Sequence, residues 1–353
     1  MYNLNVIKAY REQALKEPMP FLDKYRDTVT TSKPYQGLSI LHNVPLTMAT
    51  AYKIEALALG GARVSVISPN NFPVEKEAAD LLKMAGFELH TSRVFTQNFD
   101  LHLDCCAELL NIAPPNIGAV ELTQSGSKIY QQASVDYPIV SVDDSKLKVL
   151  ETFFGTGDGF ARALDELVGA KKQHQSFVIF GNGKVGRGIL HAIKKFSNNI
   201  TVIDLKEKFS NPQDKINYVD AQDIPKVKEV IKNSYCVITA TGIKNLLSDY
   251  YSLTKADCND AILVNMGAED EYGENFLSSD VMFNKRAFNF SLKEPTAFRY
   301  LDPIFYAHNI SIDVLLSNNT NKAYNAFPDS TATDILNKWH AIYKEDLEEA
   351  LSN

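Results

Sequence analysis

The chain has 353 residues, enough for two domains, and its 45% hydrophobic content is sufficient for two cores. The net charge of -7 disfavours nucleic acid and anionic membrane surfaces as main partners, because both are negatively charged. No segment approaches the roughly 20 apolar residues that span a bilayer, and the N-terminal segment is charged and amphipathic, unlike a signal peptide. We therefore expect a cytoplasmic protein that acts on a small molecule.

The first half of the chain alternates predicted helices with short apolar strands. Helices are predicted over 47–61 and 74–86, and strands over 63–68, 100–104, 118–123 and 137–142. This alternation is typical of an open α/β domain with a mainly parallel sheet. We assign residues 1–157 to this first domain, which is expected to bind the substrate.

The cysteines and histidines do not predict a metal site. The four cysteines form no CxxC pair and the seven histidines show no HxxxH spacing, so no metal ion is expected. The adjacent Cys105 and Cys106 have two interpretations, a reactive thiol pair or small buried hydrophobic residues after an apolar strand. The second interpretation is favoured for a pair in this position.

A long helical pattern over 145–169 connects the first domain to a second one. Gly155, Gly157 and Gly159 interrupt this pattern and predict a bend or hinge there. Apolar strands are then predicted over 176–180, 200–204, 236–241 and 261–266. We assign 158–309 to a doubly wound Rossmann-type domain. A C-terminal helix within 310–353, with Trp339 as a packing residue and a solvated acidic end, is expected to pack back on the first domain.

A glycine-rich turn follows the strand over 176–180. Gly181, Gly183 and Gly186 form a GxGxxG motif between this strand and a helical pattern, and Asp204 ends the next strand, 18 positions after Gly186. Gly181 makes the tight turn, Gly183 admits a pyrophosphate at the helix N-terminus, and Gly186 allows close helix packing. Because Asp204 would bind ribose hydroxyls and repel a 2′-phosphate, the motif predicts NAD; a structural glycine turn is the alternative.

Several segments, in the same order along the chain, resemble landmarks of the S-adenosylhomocysteine hydrolase family. They are MPFLDKYRDTVTTSKPYQG, TAYKIEALALGGARV, SPNNF, the VDDS turn and GNGKVGRG. The resemblance extends to about residue 310 and implies an NAD domain inserted into a split substrate domain. It also implies a role in one-carbon metabolism and assembly as a homodimer or homotetramer, although the family's C-terminal Lys/Tyr-containing extension has no counterpart here.

The resemblance assigns most cofactor contacts to residues that this chain retains. The predicted cofactor-binding set is Gly181, Gly183, Lys184, Val185, Gly186, Asp204, Thr123, Ser125, Thr241, Gly242, Met266, Gly267 and Asn309. Among them, the TATG and NMG segments each follow a predicted strand, where doubly wound sheets hold their ligands. Ordinary strand-ending turns are the alternative interpretation of these two segments.

The substrate residues of the family are retained less well. Pro45 and Ala268 replace two histidines, Cys105 replaces an aspartate, and Leu122 replaces a glutamate. Because a placed acid or base typically contributes ~10²–10⁴-fold to the rate, efficient hydrolysis of S-adenosylhomocysteine is not expected.

Five residues remain as candidates for binding or catalysis. Thr47, Cys105 and Glu121 are predicted to bind the substrate. Lys148 matches the family's pocket lysine and is the predicted base or polarising group, and Glu151, one helical turn later, is its predicted partner. A solvated lysine on a charged helix is the alternative for Lys148.

Three functions remain open on this basis. The first is an NAD-dependent enzyme that oxidises a hydroxylated small molecule by hydride transfer, with or without elimination. The second is an adenosylhomocysteinase with weak or altered activity. The third is a non-catalytic NAD-binding regulatory homologue, although the lost pocket residues are replaced by small or apolar side chains and not by a bulky plug.

Overall fold

The computed structural model describes residues 2–14, 17–70, 72–209, 216–317 and 324–351. The chain forms two compact units, each with its own parallel sheet. Unit 1 comprises Met1–Lys148 and Phe298–Leu347, and unit 2 comprises Val149–Ala297 and Glu348–Asn353. The α/β class with two open sheets is therefore confirmed. Within the described ranges, every helix is too short or too polar to cross a membrane.

Twelve strands are found in the described residues, most of them buried and four to six residues long. They are β1 (Ser39–Asn43), β2 (Arg63–Ile67), β3 (Glu88–Leu89), β4 (Leu101–Asp104), β5 (Gly118–Glu121), β6 (Ile139–Ser141), β7 (Ser176–Phe180), β8 (Asn199–Asp204), β9 (Asn217–Asp220), β10 (Cys236–Thr239), β11 (Ile262–Asn265) and β12 (Tyr324–Ala326).

The α-helices alternate with these strands along most of the chain. They are α1 (Leu4–Ala14), α2 (Pro20–Ser32), α3 (Met48–Leu59), α4 (Lys76–Met84), α5 (Gln124–Gln132), α6 (Thr156–Val168), α7 (Lys184–Ile193), α8 (Ile224–Lys232), α9 (Leu246–Asp249), α10 (Phe298–Leu316), α11 (Asp329–Tyr343) and α12 (Glu348–Leu351). Helix α10 belongs wholly to unit 1, and the expected domain boundary after residue 309 falls inside it.

The sheet of unit 1 has seven parallel strands in the order β12–β6–β5–β4–β1–β2–β3. The direction of winding reverses between β1 and β4, which are neighbours in the sheet. In doubly wound sheets the ligand crevice lies outside the carboxyl ends of the strands at this reversal. The residues after Asn43 and Asp104 therefore occupy the position where unit 1 is expected to bind a ligand.

The sheet of unit 2 has five parallel strands in the order β11–β10–β7–β8–β9, and its winding reverses between β7 and β10. Phe177 and Ile179 of β7 pack into one hydrophobic cluster with α6 and α7. Val178 and Phe180 pack into a second cluster with α8. Because helices cover both faces, the central strand β7 is apolar from Phe177 to Phe180, as is typical of parallel sheets.

The glycines before and within α6 have a different role from the predicted bend. A π-helical turn over Leu150–Gly155 leads directly into α6, which continues through Gly157 and Gly159. A Cβ on Gly157 would lie 2.2 Å from the carbonyl oxygen of Gly188 in α7. These two glycines therefore permit close packing of the helix and do not interrupt it, so the predicted interruption is wrong at these positions.

The C-terminal segment is shared between the two units. Trp339 of α11 is fully buried in unit 1, and its indole N–H donates to the carbonyl of Arg299 at 2.7 Å. Helix α12 belongs to unit 2, where the Glu349 carboxylate lies 2.6 Å from Nδ1 of His191 and 3.1 Å from Nζ of Lys194 on α7. The acidic end of the C-terminal segment is thus not only a solvated face, because Glu349 pairs with basic side chains of α7.

Candidate functional site

The glycine turn after β7 is shaped by two close backbone approaches. Gly181 has a φ of +101°, which favours glycine, and a Cβ there would lie 2.5 Å from the carbonyl oxygen of Ala240. A Cβ on Gly186 would lie 1.9 Å from the carbonyl oxygen of Gly181. Side chains are therefore excluded at both positions, and the turn can bring α7 directly against the end of β7.

The N-terminus of α7 faces open space. Gly183 is its N-cap residue, is exposed, and a Cβ added there would meet nothing within 4 Å among the described residues. No side chain of the described residues caps this helix. The N–H groups of its first turn, including those of Lys184 and Val185, therefore have no side-chain acceptor there. Uncapped N–H groups and the positive end of the helix dipole form an anion site, and the cradle fits the pyrophosphate of a dinucleotide.

Asp204 ends β8 beside this turn. One of its carboxylate oxygens accepts from the N–H of Asn182 at 2.6 Å, and the other accepts from the N–H of Leu205 at 2.7 Å. The carboxylate is thereby fixed against the glycine turn. Each carboxylate oxygen can accept a second hydrogen bond, which suits the ribose hydroxyls next to the pyrophosphate.

The turn after β10 is held by Glu271, a residue that the sequence did not reveal. Its fully buried carboxylate accepts from the N–H of Thr241 at 2.9 Å, from the N–H of Gly242 at 2.7 Å and from the Thr241 hydroxyl at 2.7 Å. Burial raises the pKa of Glu271. Three acidic residues occur over 269–271, and no spacing rule singles out the one that folds back.

The NMG turn after β11 packs on the same carboxylate. A Cβ on Gly267 would lie 2.1 Å from Oε1 of Glu271, and the N–H of Met266 donates to the carbonyl of Thr239 at 2.8 Å. The structure therefore brings together ten predicted cofactor residues within unit 2. They are Gly181, Gly183, Lys184, Val185, Gly186, Asp204, Thr241, Gly242, Met266 and Gly267.

In unit 1, Glu121 holds the turn that follows β4. Its carboxylate accepts from the N–H groups of Thr123 at 2.7 Å, Cys106 at 3.1 Å and Ala107 at 3.0 Å. The Thr123 hydroxyl adds a fourth hydrogen bond at 2.6 Å. Because this fully buried carboxylate accepts hydrogen bonds from residues of the turn itself, Glu121 fixes the conformation of the turn.

Asp104 adds a second buried carboxylate to the same turn. It accepts from Nδ2 of Asn43 and from the Tyr130 hydroxyl, both at 2.8 Å, and from the N–H of Leu109 at 2.9 Å. Burial, followed by the nearby charge of Glu121, raises the pKa of the Asp104 carboxyl. Asn43 and Tyr130 had no signal in the sequence, because their contacts join residues far apart along the chain.

The predicted substrate residues of unit 1 differ in how accessible they are. Cys105 is only 1% exposed, whereas its neighbour Cys106 is partly exposed. Thr47 is partly exposed and is the N-cap of α3, where its hydroxyl oxygen accepts from the N–H of Thr50 at 3.4 Å. Ser125, predicted as a cofactor residue together with Thr123, is exposed in unit 1.

The predicted catalytic pair is divided between the units. Lys148 is 2% exposed, so it is not the solvated lysine of the alternative interpretation. Its Nζ donates to the carbonyl of Leu122 at 2.7 Å and lies 4.0 Å from Oδ1 of Asp143. Glu151 lies in the π-helical turn of unit 2 and is partly buried.

Asn309, predicted on the nicotinamide side, lies in α10 of unit 1. It is fully buried, and its Nδ2 donates to the carbonyl of Lys53 at 3.2 Å. Lys53 is itself fully buried, with Nζ 2.8 Å from Nε2 of His42. Burial lowers the pKa of Lys53 and, with the charge of Lys53 as a second cause, that of His42. The sequence reasoning missed this basic pair.

The part of the chain that matches a known family model lies within unit 2. Residues 155–282, most of unit 2, match the family described as S-adenosyl-L-homocysteine hydrolase, NAD binding domain. The match indicates NAD as the cofactor of this part of the chain. The open space at Gly183 fits the pyrophosphate of this cofactor, and the individual cofactor contacts stay predictions.

Relatives that match more than two thirds of this chain carry related names. An adenosylhomocysteinase of Pyrococcus abyssi is 26% identical over 289 residues, covering 71% of this chain and 64% of that protein. An S-inosyl-L-homocysteine hydrolase of Methanococcus maripaludis is 24% identical, covering 72% and 66%. The chain thus spans about two thirds of the length of these relatives. Among solved structures, a dipicolinate synthase from Bacillus halodurans gives a TM-score of 0.45 at 10% identity, over 80% of this chain and 98% of that chain.

Proposed function

Because the chain is a divergent relative of the adenosylhomocysteinases and carries their NAD-binding domain, we propose that it is an NAD-dependent enzyme with a different substrate. The proposed reaction is oxidation of a hydroxylated small molecule, with or without elimination of a neighbouring group. NAD, when bound, supplies the hydride acceptor. The observation that carries the proposal is the uncapped helix N-terminus at Gly183, since it retains the pyrophosphate cradle.

The changed substrate is supported by the side chains at the carboxyl ends of β4 and β5. Cys105 is 1% exposed and Leu122 is 4% exposed, so the two positions that are acidic in the resembling family are apolar and buried here. Accessible polar groups near these positions include the hydroxyls of Thr123 and Ser125 and the thiol of Cys106, and Thr47 adds a hydroxyl after β1. Such groups bind hydroxyls through single hydrogen bonds and do not supply strong acids or bases.

Lys148 is the proposed proton-handling residue on the substrate side. Its amine is buried and oriented by the Leu122 carbonyl, while Asp143 stands at 4.0 Å. The hydrogen bond to the Leu122 carbonyl fixes the position of the amine, and in the proposed reaction this group exchanges a proton with a substrate hydroxyl as hydride leaves. Glu151 remains its proposed partner in catalysis.

The test starts from the purified chain. Denaturation followed by mass spectrometry identifies any small molecules that it carries, and titration with NAD and NADP gives the two dissociation constants. We expect NAD or NADH to be bound, with NAD preferred over NADP. Absence of NAD binding at millimolar concentration would overturn the proposed use of NAD.

Activity then separates the candidate functions. NADH absorbance is followed with a panel of hydroxylated compounds, including nucleosides, and homocysteine release is followed with S-adenosylhomocysteine and S-inosylhomocysteine. We expect reduction of the cofactor with a compound in the panel and little release of homocysteine. Efficient homocysteine release would instead favour the reactions named for the relatives, and NAD binding without any turnover would favour a regulatory homologue.

The proposed assembly is a homodimer or a homotetramer. Sedimentation velocity with and without NAD measures the mass directly, and a monomer at all concentrations would contradict this proposal.

A further inference from the structure

The vicinal cysteines of unit 1 lie in a turn that holds them side by side. The Sγ atoms of Cys105 and Cys106 are 3.7 Å apart. Both residues follow β4 at the winding reversal of the sheet, where unit 1 is expected to bind a ligand. To form an S–S bond of about 2.05 Å, the two Sγ atoms have to approach each other by roughly 1.7 Å.

The turn that contains the two cysteines has a strained backbone, which buried carboxylates hold in place. Cys106 has a φ of +64° and Ala107 a φ of +53°, which are uncommon conformations for residues with a side chain. Buried Glu121 accepts from the N–H groups of both residues, and buried Asp104 accepts from the N–H of Cys105 at 2.7 Å. The hydrogen bonds to these two carboxylates therefore hold the backbone of the two cysteines in this conformation.

The two thiols are not equivalent. Cys106 is partly exposed, and the hydrogen bond with Cys105 lowers the pKa of its thiol. The same hydrogen bond, with burial, raises the pKa of Cys105 far above its usual value. Cys106 is thus the more accessible of the two thiols and the more readily deprotonated one, and Cys105 is the buried thiol beside it.

From this geometry we infer that Cys105 and Cys106 form a redox-modification site that reacts with low-molecular-weight disulfides and closes to a vicinal disulfide. The Cys106 thiolate attacks one sulfur of a disulfide RSSR, forming a mixed disulfide and expelling one thiolate RS⁻. Cys105 then attacks the Sγ of Cys106, expels the second RS⁻ and releases its proton. The two cysteine thiols are oxidised, and RSSR is reduced to two RSH.

The closed bond is expected to be readily reversible. Consecutive Cα atoms are about 3.8 Å apart across a trans peptide, below the roughly 4.4–6.8 Å usual for disulfides. Strained disulfides have higher reduction potentials and are the labile, regulatory ones. Because Cys105 is a residue of the proposed substrate site, closure would alter substrate binding; this consequence, unlike the site itself, rests on the proposed function.

The remaining cysteines make the chemistry easy to resolve. Cys236 and Cys258 are both fully buried in unit 2. Burial raises the pKa of Cys236, and it raises that of Cys258 to about 11. In the folded protein we expect Cys106 to react with iodoacetamide at least about tenfold faster than either of them.

The experiment uses the full chain without added nucleotide or substrate. It is equilibrated in buffers of increasing glutathione disulfide to glutathione ratio, quenched in acid, alkylated and examined by mass spectrometry of the intact protein and its peptides. We expect the loss of two hydrogens, confined to the peptide with Cys105 and Cys106, and full recovery on reduction. Persistence of both free thiols, or stable glutathione adducts on both, would overturn the inference.

Single variants test the order of attack. Cys105→Ser should stop at one glutathione adduct on Cys106, whereas Cys106→Ser should leave Cys105 unmodified over the same time. The reverse pattern would contradict the assigned roles, and Cys258→Ala is the control that should oxidise like the unchanged chain. NAD binding is measured on the same samples; its absence would refute the proposed cofactor without affecting the thiol result, which is read from mass alone.

Discussion

In each unit a helix follows the strand at the winding reversal of the sheet: α3 follows β1 in unit 1, and α7 follows β7 in unit 2. The N-termini of these two helices differ in their capping. In unit 1, helix α3 after β1 is capped: Thr47 accepts from Thr50, and Glu75 accepts from the N–H of Met48 at 2.9 Å. In unit 2, helix α7 after β7 begins at Gly183 without a side-chain cap from any described residue. Uncapped N–H groups are available to a phosphate, and capped ones are not.

The carboxylates hold the turn after the neighbouring strand in both units. In unit 1, Asp104 and Glu121 take up N–H groups of the turn after β4. In unit 2, Glu271 does the same at the turn after β10, and Asp204 accepts from the N–H of Asn182 in the turn after β7. The difference between the units therefore lies in the first residues of α3 and α7, because side-chain acceptors are found at the start of α3 and not, among the described residues, at the start of α7.

The largest expected effect comes from filling the glycine turn of unit 2. Gly186→Val adds a branched side chain where even a Cβ would lie 1.9 Å from a carbonyl oxygen. We expect urea unfolding to show a loss of at least about 3 kcal/mol for unit 2, because the backbone must move, and calorimetry to show no NAD binding.

Gly183→Ala is the matched control, since its Cβ meets nothing within 4 Å in the described structure. Stability should stay within about 1 kcal/mol, while the added methyl in the pyrophosphate space should weaken NAD binding at least about tenfold. Equal destabilisation by both variants would break the proposed distinction between packing and binding glycines.

Asp204→Asn should weaken NAD binding about 10- to 100-fold, because hydrogen bonds to a charged group contribute about 1.5–3 kcal/mol. It should also reduce the preference for NAD over NADP, since the repulsion of a 2′-phosphate is removed. Isothermal titration with both nucleotides measures this. Asp220→Asn, at the end of the next strand, is the control; similar losses in both variants would count against a specific role for Asp204.

Lys53→Met tests the polar interior of unit 1. Burial lowers the pKa of Lys53 well below 10.5, so as the pH falls below about this value the unfolded chain takes up a proton more readily than the folded chain. Stability therefore falls as pH is lowered from about 10 towards 7, by up to about 1.4 kcal/mol per pH unit. The variant should flatten this slope and be more stable at pH 7.

Urea unfolding at several pH values between 7 and 9 measures the slope. Lys83→Met, on the exposed face of α4, should leave the slope unchanged. Identical slopes for the unchanged chain and Lys53→Met would show that Lys53 is charged in the folded protein.

The smallest expected effect is the loss of the α3 cap. Thr47→Ala should cost about 1 kcal/mol, the usual contribution of an N-cap side chain. Thr28→Ala, on the exposed surface of α2, should change stability by less than about 0.5 kcal/mol. If Thr47→Ala gave unit 1 a measurable affinity for inorganic phosphate, the cap would be the main feature that distinguishes the two units.

The sequence predicted those features whose chemistry is local. Strand periodicity and the GxGxxG spacing located the cradle of unit 2, because a turn of this kind needs glycine at Gly181 and Gly186 whatever surrounds it. Glycines at Gly157 and Gly159 were ambiguous, since bends and close contacts both select glycine. Only the neighbouring α7 distinguishes the two cases.

The missed features depend on contacts between distant residues. Glu271 folds back on Thr241, and Asn43 reaches Asp104, across 30 and 61 positions of the chain. Lys53 lies on a helix whose residues are almost all buried, so periodicity does not mark it as unusual. The hydrogen bonds of Glu121 to Cys106 and Ala107 also join residues distant in the sequence, so its role in fixing a turn was not predicted; its role in substrate binding stays a prediction.

Strand β12 has a consequence for how the protein is made. It pairs with β6 along Ile139–Ser141, although all of unit 2 apart from α12 is synthesised between them. During translation, β6 is therefore an unpaired sheet edge until residues 324–326 emerge, and such edges are prone to aggregation. Unit 2 is therefore almost completely synthesised before unit 1 is complete. Chaperones would be needed most in that interval, to protect the β6 edge.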